Sequence, residues 1–173
     1  IFARNFKFMK RSIVLLITFS LGYLLTFGQN NEINKERVLD NINGWRSEDC
    51  HCGNVKKRPA PEVIWDNKLE EIAQNYADDL ATDNKENESN FLYLSHVGTD
   101  GSTLSNRLAE NGYEAIYCVE NIAYLKGNED MVIDHWMNTP AACNNIMNRQ
   151  ITSIGIARSG DFWVLLFAQP KKK

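Results

Sequence analysis

The chain has 173 residues, of which 43% are hydrophobic and 24% are charged, and its formal net charge is −3. These values are typical of one globular domain and exclude a disordered or collagen-like chain. The acidic balance also argues against a nucleic-acid-binding protein, because phosphate backbones are bound through many Lys and Arg side chains. Residues 1–28 hold four basic residues and no acidic one, so the remainder is more acidic than the whole chain.

The N-terminal residues have the two parts of a secretory signal peptide. A positive segment at 9–11 is followed directly by an apolar run at 12–27. We therefore expect a start at Met9 and cleavage after Gly28. An uncleaved anchor is the alternative, but a span needs about 20 apolar residues and this run is shorter. The predicted location is secreted or extracytoplasmic, in the periplasm or at the cell exterior, with no stable membrane span after signal removal.

The rest of the chain is predicted to form one domain. Upstream residues and the signal peptide occupy 1–28, a short linker follows at 29–35, the domain spans 36–169, and 170–173 form a basic tail. No internal repeat or low-complexity stretch divides the domain, so its organisation has to be inferred from periodicity.

Two helices are predicted in the first half of the domain. The first spans 34–47, and a loop broken by glycine and proline follows at 50–61. The second has the stronger apolar stripe, with Asp66 placed to cap its start and a polar run at 82–90 to end it. Its stripe consists of Leu69, Ile72, Ala73, Tyr76, Ala77 and Leu80.

Two further helices are predicted in the second half. A short one at 102–111 ends at Gly112, because glycine readily takes the left-handed conformation that closes a helix. Another begins at Asn128 and runs to Met137, since a capping asparagine and two following acidic residues favour a helix start. Pro140 stops or kinks this helix.

The strands are predicted later in the chain. One spans 117–124 and carries Glu120 among apolar residues, and two more at 151–158 and 162–169 form an antiparallel hairpin. Helices followed by a terminal hairpin indicate a layered α+β domain.

Four cysteines in an oxidising compartment predict disulfide bonds. They are Cys50, Cys52, Cys118 and Cys143, and three connectivities remain open. A bond between Cys50 and Cys52 would close a strained ring, so each is expected to pair elsewhere. A metal knuckle around His51 is the alternative, but the other two cysteines lack the spacing for it.

The order of several short motifs resembles the CAP superfamily, which includes cysteine-rich secretory proteins, antigen 5 and pathogenesis-related proteins. The likeness is to the compact bacterial branch with an SCP domain and covers about 36–168. It implies a three-layer α-β-α sandwich with a central antiparallel sheet. The motifs are Trp65-Asp66-Asn67-Lys68-Leu69, Ser95-His96, Asp100-Gly101, Arg107, Gly112-Tyr113, Glu120-Asn121-Ile122-Ala123, Trp136-Met137-Asn138-Thr139-Pro140, Asn145-Ile146, Ile154-Gly155-Ile156-Ala157 and Trp163.

The resemblance implies a central cleft in which two histidines and two glutamates bind a divalent metal, often zinc. His96 corresponds to the first histidine, and Glu120, followed by Asn121, corresponds to one glutamate. Ala142 stands where the second histidine is expected, and Thr139 stands at the second glutamate. Because half of the set is missing, zinc remains a doubtful cofactor, with His96 as its candidate ligand.

The resemblance also implies a disulfide between Cys52 and Cys143. The second disulfide would then join Cys50 to Cys118. Both bonds would fix the early loop at the rim of the cleft.

Two functional classes follow from these residues. The first is a secreted binding or interaction module with a degenerate cleft, for a small ligand, lipid or protein partner. The alternative is a metal-assisted or acid–base hydrolase or peptidase that uses His96 and Glu120. Such an enzyme needs a replacement group, with His135 or Ser95 as first candidates, although His135 and His51 are expected to face solvent. Glu120, inside an apolar strand, requires a partner, and the family resemblance implies that this partner is His96.

Overall fold

The structure is a computed structural model that describes residues 32–86, 92 and 94–171. The signal peptide predicted in 1–28 lies outside the described residues and stays a prediction. Of the helices that are described, none is both long and apolar enough to cross a membrane.

The described residues form five helices and six strands. The helices are α1 (Lys35–Arg46), α2 (Asn67–Glu86), α3 (Leu104–Glu110), α4 (Glu129–Met137) and α5 (Pro140–Ile146). The strands are β1 (Cys50–Cys52), β2 (Val55–Lys57), β3 (Ile64–Trp65), β4 (Ala115–Tyr124), β5 (Ser153–Ser159) and β6 (Phe162–Pro170).

The strands form a small hairpin and a four-stranded sheet. β1 and β2 pair antiparallel within the loop predicted at 50–61. The larger sheet has the order β3-β5-β6-β4, with antiparallel pairing except where β3 lies parallel to β5. The predicted terminal hairpin is confirmed, because Ser159 pairs with Phe162 across a turn in which Gly160 has φ +60°. β3 was not predicted, since two residues show no periodicity.

The sheet separates two apolar cores, which confirms the α-β-α sandwich. Alternate side chains of β6 point to opposite faces, as the pleat of a strand requires. Trp163, Leu165 and Phe167 pack with residues of α1, α4 and α5. Val164 and Leu166 pack instead with residues of α2 and α3. Each helix thus buries one face against the sheet.

Three helices begin at side-chain caps, and the sequence predicts two of these, Asp66 and Asn128. The Asn34 side chain accepts a hydrogen bond from a backbone N–H in the first turn of α1, and Asn128 does so for α4. The Asp66 carboxylate accepts two such bonds at the start of α2. Each cap satisfies a backbone donor that the helix itself leaves unpaired.

A fifth helix begins at Pro140, where the sequence predicts only an end. α4 does stop three residues earlier, at Met137, but Pro140 then takes the first position of α5. Proline suits this position because its missing N–H would have no partner in the helix and its φ is already helical. The seven residues of α5 are too few to show an apolar period.

Arg46 is a fully buried cation at the end of α1. Its guanidinium donates to the backbone carbonyls of Pro61, Ile146, Asn148 and Ile151. Burial lowers its pKa to about 10. Arg46 therefore ties the end of α1 to the end of α5 and to the chain that enters β5.

Candidate functional site

Glu120 is a buried carboxylate in β4, with 3% of its side chain exposed. Such a group is costly to bury unless it is paired and hydrogen-bonded. Glu120 Oε1 lies 2.8 Å from Nδ1 of His96, and Oε2 accepts a hydrogen bond of 2.7 Å from Nη2 of Arg107. Both carboxylate oxygens are therefore engaged within the protein.

His96 lies in the segment between α2 and α3 and is not buried. Its side chain is 65% exposed. His96 is therefore the partner of Glu120, as expected, but of the two side chains only that of Glu120 is shielded from water. The loop is held by the Tyr76 hydroxyl, which donates to the carbonyl of Ser95, and by the Gly98 N–H, which donates to the carbonyl of Ser102. His96 is thus anchored by its Nδ1 side and open to solvent elsewhere.

Arg107 places a positive charge beside Glu120, a role that was not predicted from the sequence. It lies in α3, is 8% exposed, and donates from Nη1 to the carbonyl of Ser102. Its guanidinium stacks over the Tyr76 ring, 3.5 Å from the centroid. One sequence signal could have found Arg107. A buried carboxylate such as Glu120 needs a cationic partner, and Arg107 lies in the short helix predicted at 102–111.

The pocket at this site has a volume of about 380 Å³. His96 and Glu120 form part of its lining, and the rest is both polar and apolar. The other lining residues are Val97, Thr103, Leu104, Ser105, Cys118, Val119 and Asn145. The mixed lining offers hydrogen-bond groups beside apolar contact area.

The pairing changes the protonation of His96. Its hydrogen bond to Glu120 is the main cause of a raised pKa, and the charge of Glu120 acts in the same direction. Desolvation and the Arg107 charge oppose the rise without cancelling it. The imidazolium form is therefore more populated near neutral pH than that of a free histidine.

The remaining cleft residues predicted from the sequence lie beside this pocket rather than in its lining. Asn121 donates to the carbonyl of Ala142 and accepts from the side chain of Asn145. Asn145 itself lines the pocket, and it was not predicted as a site residue. Thr139 precedes α5, and its hydroxyl donates to the carbonyl of His135.

The candidate replacement groups do not join His96. His135 is exposed on α4, and His51 is exposed on β1. The Ser95 hydroxyl accepts a hydrogen bond of 2.9 Å from the N–H of Val97, so it belongs to the local turn.

The residues of this cleft do not fit a zinc ion. Both oxygens of Glu120 are already engaged, one with His96 and one with the cation Arg107, and the positive charge of Arg107 disfavours a metal cation beside it. Ala142 offers no ligand atom. Within the described residues, the group of metal-binding side chains close enough to share an ion is a cluster of cysteines elsewhere. One imidazole alone does not hold zinc against water.

The cysteines are only partly paired. A disulfide joins Cys52 to Cys143, with Cα atoms 5.4 Å apart, which is the pairing that the resemblance implies. The expected bond between Cys50 and Cys118 is wrong, because both are free thiols. Cys50 packs against the core that contains α1, α4 and α5, whereas Cys118 packs against the core on the other face of the sheet.

The three-layer α-β-α sandwich is the fold expected of a CAP-type domain. The profile of the CAP, cysteine-rich secretory protein family matches residues 32–167. The chain belongs to this family. A comparison with curated proteins gives no match.

Solved bacterial structures share the fold. An extracellular protein with an SCP domain from Bacillus anthracis has a TM-score of 0.65 and 23% identity, over 79% of this chain and 40% of its own. An outer surface protein from Borrelia burgdorferi has a TM-score of 0.55 and 22% identity, over 65% and 80%. A cysteine-rich secretory protein from Staphylococcus aureus has a TM-score of 0.53 and 14% identity, over 79% and 39%. The chain thus spans less than half of the first and third of these proteins.

Proposed function

We propose that this protein is an extracytoplasmic binding module whose ligand site is the pocket at His96. One observation carries the proposal: both oxygens of Glu120 are bonded inside the protein. A general base has to reach its substrate, whereas the Glu120 side chain is 3% exposed and lies behind these two partners. Glu120 instead orients and charges His96, which lines the pocket and whose other nitrogen, Nε2, is not used by Glu120.

The ligand class follows from charge and lining. The raised pKa of His96 and the Arg107 guanidinium behind Glu120 give the pocket a positive character. Val97, Leu104 and Val119 add apolar surface beside these groups. A small ligand or lipid that combines an anionic group with an apolar part fits both features, with the anion on His96 Nε2.

The hydrolase alternative gains no specific support. It requires a nucleophile or a metal-bound water next to the acid–base pair. The hydroxyl of Ser95 is engaged in its own turn, and the cleft does not fit zinc. His96 and Glu120 therefore act as a recognition pair in this proposal.

The extracytoplasmic location rests on several agreeing features. The three solved relatives are described as extracellular, outer-surface or secretory proteins. A signal peptide is predicted in 1–28, and the Cys52–Cys143 disulfide is typical of an oxidising compartment.

The proposal is tested by titrating the purified protein with octanoate, an amphiphilic carboxylate, while the His96 imidazole signals are followed by NMR. We expect saturable shifts that are larger at pH 6 than at pH 8.5, because binding requires imidazolium. Butyrate, which has the same charge and a shorter apolar part, should bind more weakly.

The matched variants are His96→Ala and His135→Ala. Octanoate binding should be lost in the first and retained in the second, because His135 is exposed on α4. Equal binding by His96→Ala would contradict the proposal. Turnover of a fluorogenic casein substrate that disappears in His96→Ala would instead establish the hydrolase.

A further inference from the structure

Three sulfur atoms meet where the β1–β2 hairpin contacts α5. The Sγ atoms of Cys50, Cys52 and Cys143 all lie within 4.8 Å of one another. Cys50 and Cys52 are two residues apart in β1, so both project from the same face of the strand. Cys143 approaches them from α5. A free thiol therefore lies against a formed disulfide.

The packing of the hairpin keeps this cluster together. β1 and β2 are paired over three residues on each strand. An added Cβ at Gly53, whose φ is +61°, would lie 3.1 Å from the side chain of Pro140, so the hairpin turn touches the start of α5. The approach of Cys50 to Cys143 is thus set by the fold as well as by the existing bond.

Cys50 also lies at the protein surface. It is half-buried, and it lines a surface pocket together with Asp40, Gly44 and Trp45. Cys118 is half-buried as well and lines the pocket at His96, but it packs against the other core, and no other cysteine shares its surroundings among the described residues. Of the two free thiols, only Cys50 has a disulfide within reach.

We propose that Cys50 takes part in thiol–disulfide exchange with the Cys52–Cys143 bond. The Cys50 thiolate attacks Sγ of Cys143, a bond forms between Cys50 and Cys143, and the Cys52–Cys143 bond breaks. Cys52 leaves as a thiolate and takes up the proton that Cys50 lost. The numbers of disulfides and thiols are unchanged, so the step needs no oxidant or reductant.

Cys143 is the common member of both bonds for a steric reason. Attack on Cys52 would instead join residues two apart in one strand, which gives a tight and strained ring. Exchange at Cys143 keeps a covalent bond between the hairpin and α5 in either form. The hairpin therefore has two alternative bonds to one helical anchor.

The same chemistry predicts that the cysteine cluster reacts with small external thiols. Such a thiolate opens the Cys52–Cys143 bond by forming a mixed disulfide with Cys143 and releasing Cys52. Cys50 then attacks Sγ of Cys143, expels the external thiolate and restores a bond from the hairpin to α5. Cys50 acts as a resolving cysteine that shortens the lifetime of the opened form.

The first test measures which cysteines are free in the unaltered protein. The protein is incubated at pH 8 without any added thiol, acidified, and alkylated in denaturant with N-ethylmaleimide. Trypsin leaves Cys50 and Cys52 together in peptide 47–56, so fragmentation of this peptide is needed to separate them. We expect label on both Cys50 and Cys52. Label on Cys50 with none on Cys52 would overturn the proposal.

The second test uses variants that fix one bond at a time. Cys52→Ser, treated with oxidised glutathione, should form the Cys50–Cys143 bond and retain one free thiol, that of Cys118. Three free thiols in folded Cys52→Ser would overturn the proposal. Cys50→Ser is the matched control. After incubation with a low concentration of reduced glutathione at pH 8, it should accumulate several-fold more mixed disulfide on Cys143 than the unaltered protein. Equal accumulation would contradict a resolving role for Cys50.

Discussion

Glu120 shows how one buried charge organises the site at the scale of single residues. Its carboxylate lies within the sheet, where an unpaired charge would be too costly to bury. Arg107 neutralises one oxygen from α3, and His96 caps the other at the surface. The same contacts that make Glu120 tolerable in the fold give His96 its orientation and its raised pKa.

This linkage predicts a pH dependence of stability. The folded-state pKa of His96 lies above its ordinary value of 6.5, so its interaction with Glu120 stabilises the fold fully below about pH 6.5. The contribution is lost as pH rises through the folded-state pKa. His96→Gln should therefore lower the free energy of unfolding more at pH 5.5 than at pH 8.5, by at most about 1 kcal/mol because the imidazole is largely exposed.

Urea unfolding at the two pH values measures this difference. His135→Gln serves as the control, since His135 is an exposed histidine in α4, and it should keep the pH profile of the unaltered protein. The same loss for His96→Gln at both pH values would show that the charge of His96 does not stabilise the fold.

At the scale of elements, α2 is positioned by its contact with β5. Gly155 lies under the first turn of α2, and an added Cβ there would be 2.2 Å from the backbone nitrogen of Glu70. No side chain is accommodated at such a distance, so glycine is needed for close approach of helix and strand. This approach brings Tyr76 of α2 over Arg107.

Gly155→Ala should therefore lower the free energy of unfolding by about 2–3 kcal/mol, because α2 has to move away from the sheet. Gly44→Ala is the matched control. Gly44 lies inside α1, and an added Cβ there meets nothing within 4 Å. It should stabilise the protein by about 0.5–1 kcal/mol, since alanine favours the helix. Thermal unfolding of the two variants checks the opposite signs, and a neutral Gly155→Ala would exclude the close contact.

At the scale of the whole molecule, the sheet divides two cores that have different chemistry. The face with α2 and α3 carries Glu120 and Arg107, and the pocket of the proposed function lies at the β4 edge of the sheet, with lining residues from both faces. The face with α1, α4 and α5 carries the cysteine cluster and the buried cation Arg46. The Cys52–Cys143 bond links parts of this second face that lie 91 residues apart.

Loss of this bond should strongly destabilise the protein. Chain-entropy arguments for a closed loop of this length give about 4–5 kcal/mol. Cys143→Ala removes the bond and also the partner that Cys50 needs for exchange, so no alternative bond to α5 can replace it. Urea unfolding should show this loss, whereas Cys118→Ala, which removes a free thiol, should change the stability by less than about 1 kcal/mol. Equal midpoints for both variants would contradict the account.

Much of the fold was predictable because its signals are local. The caps at Asp66 and Asn128 and the turn at Gly160 depend on a few neighbouring residues, and each lies where expected. β3 and α5 were missed because they are too short for a period to show. They form through pairing and packing with distant residues, which no local pattern records.

The features of the candidate site can also be divided into those that the sequence predicts and those that it does not. The sequence by itself determined that Glu120 needs a partner, and its resemblance to the family added that His96 is the candidate and that the metal-ligand set is incomplete. Only the tertiary structure decided that Arg107 holds the second oxygen of Glu120, that His96 stays exposed, and that Cys50 and Cys118 lie on opposite faces of the sheet. The reason is physical. Residue chemistry determines which types of side chain a buried charge requires, but the packing of elements that are distant in the chain determines which particular residues contact that charge.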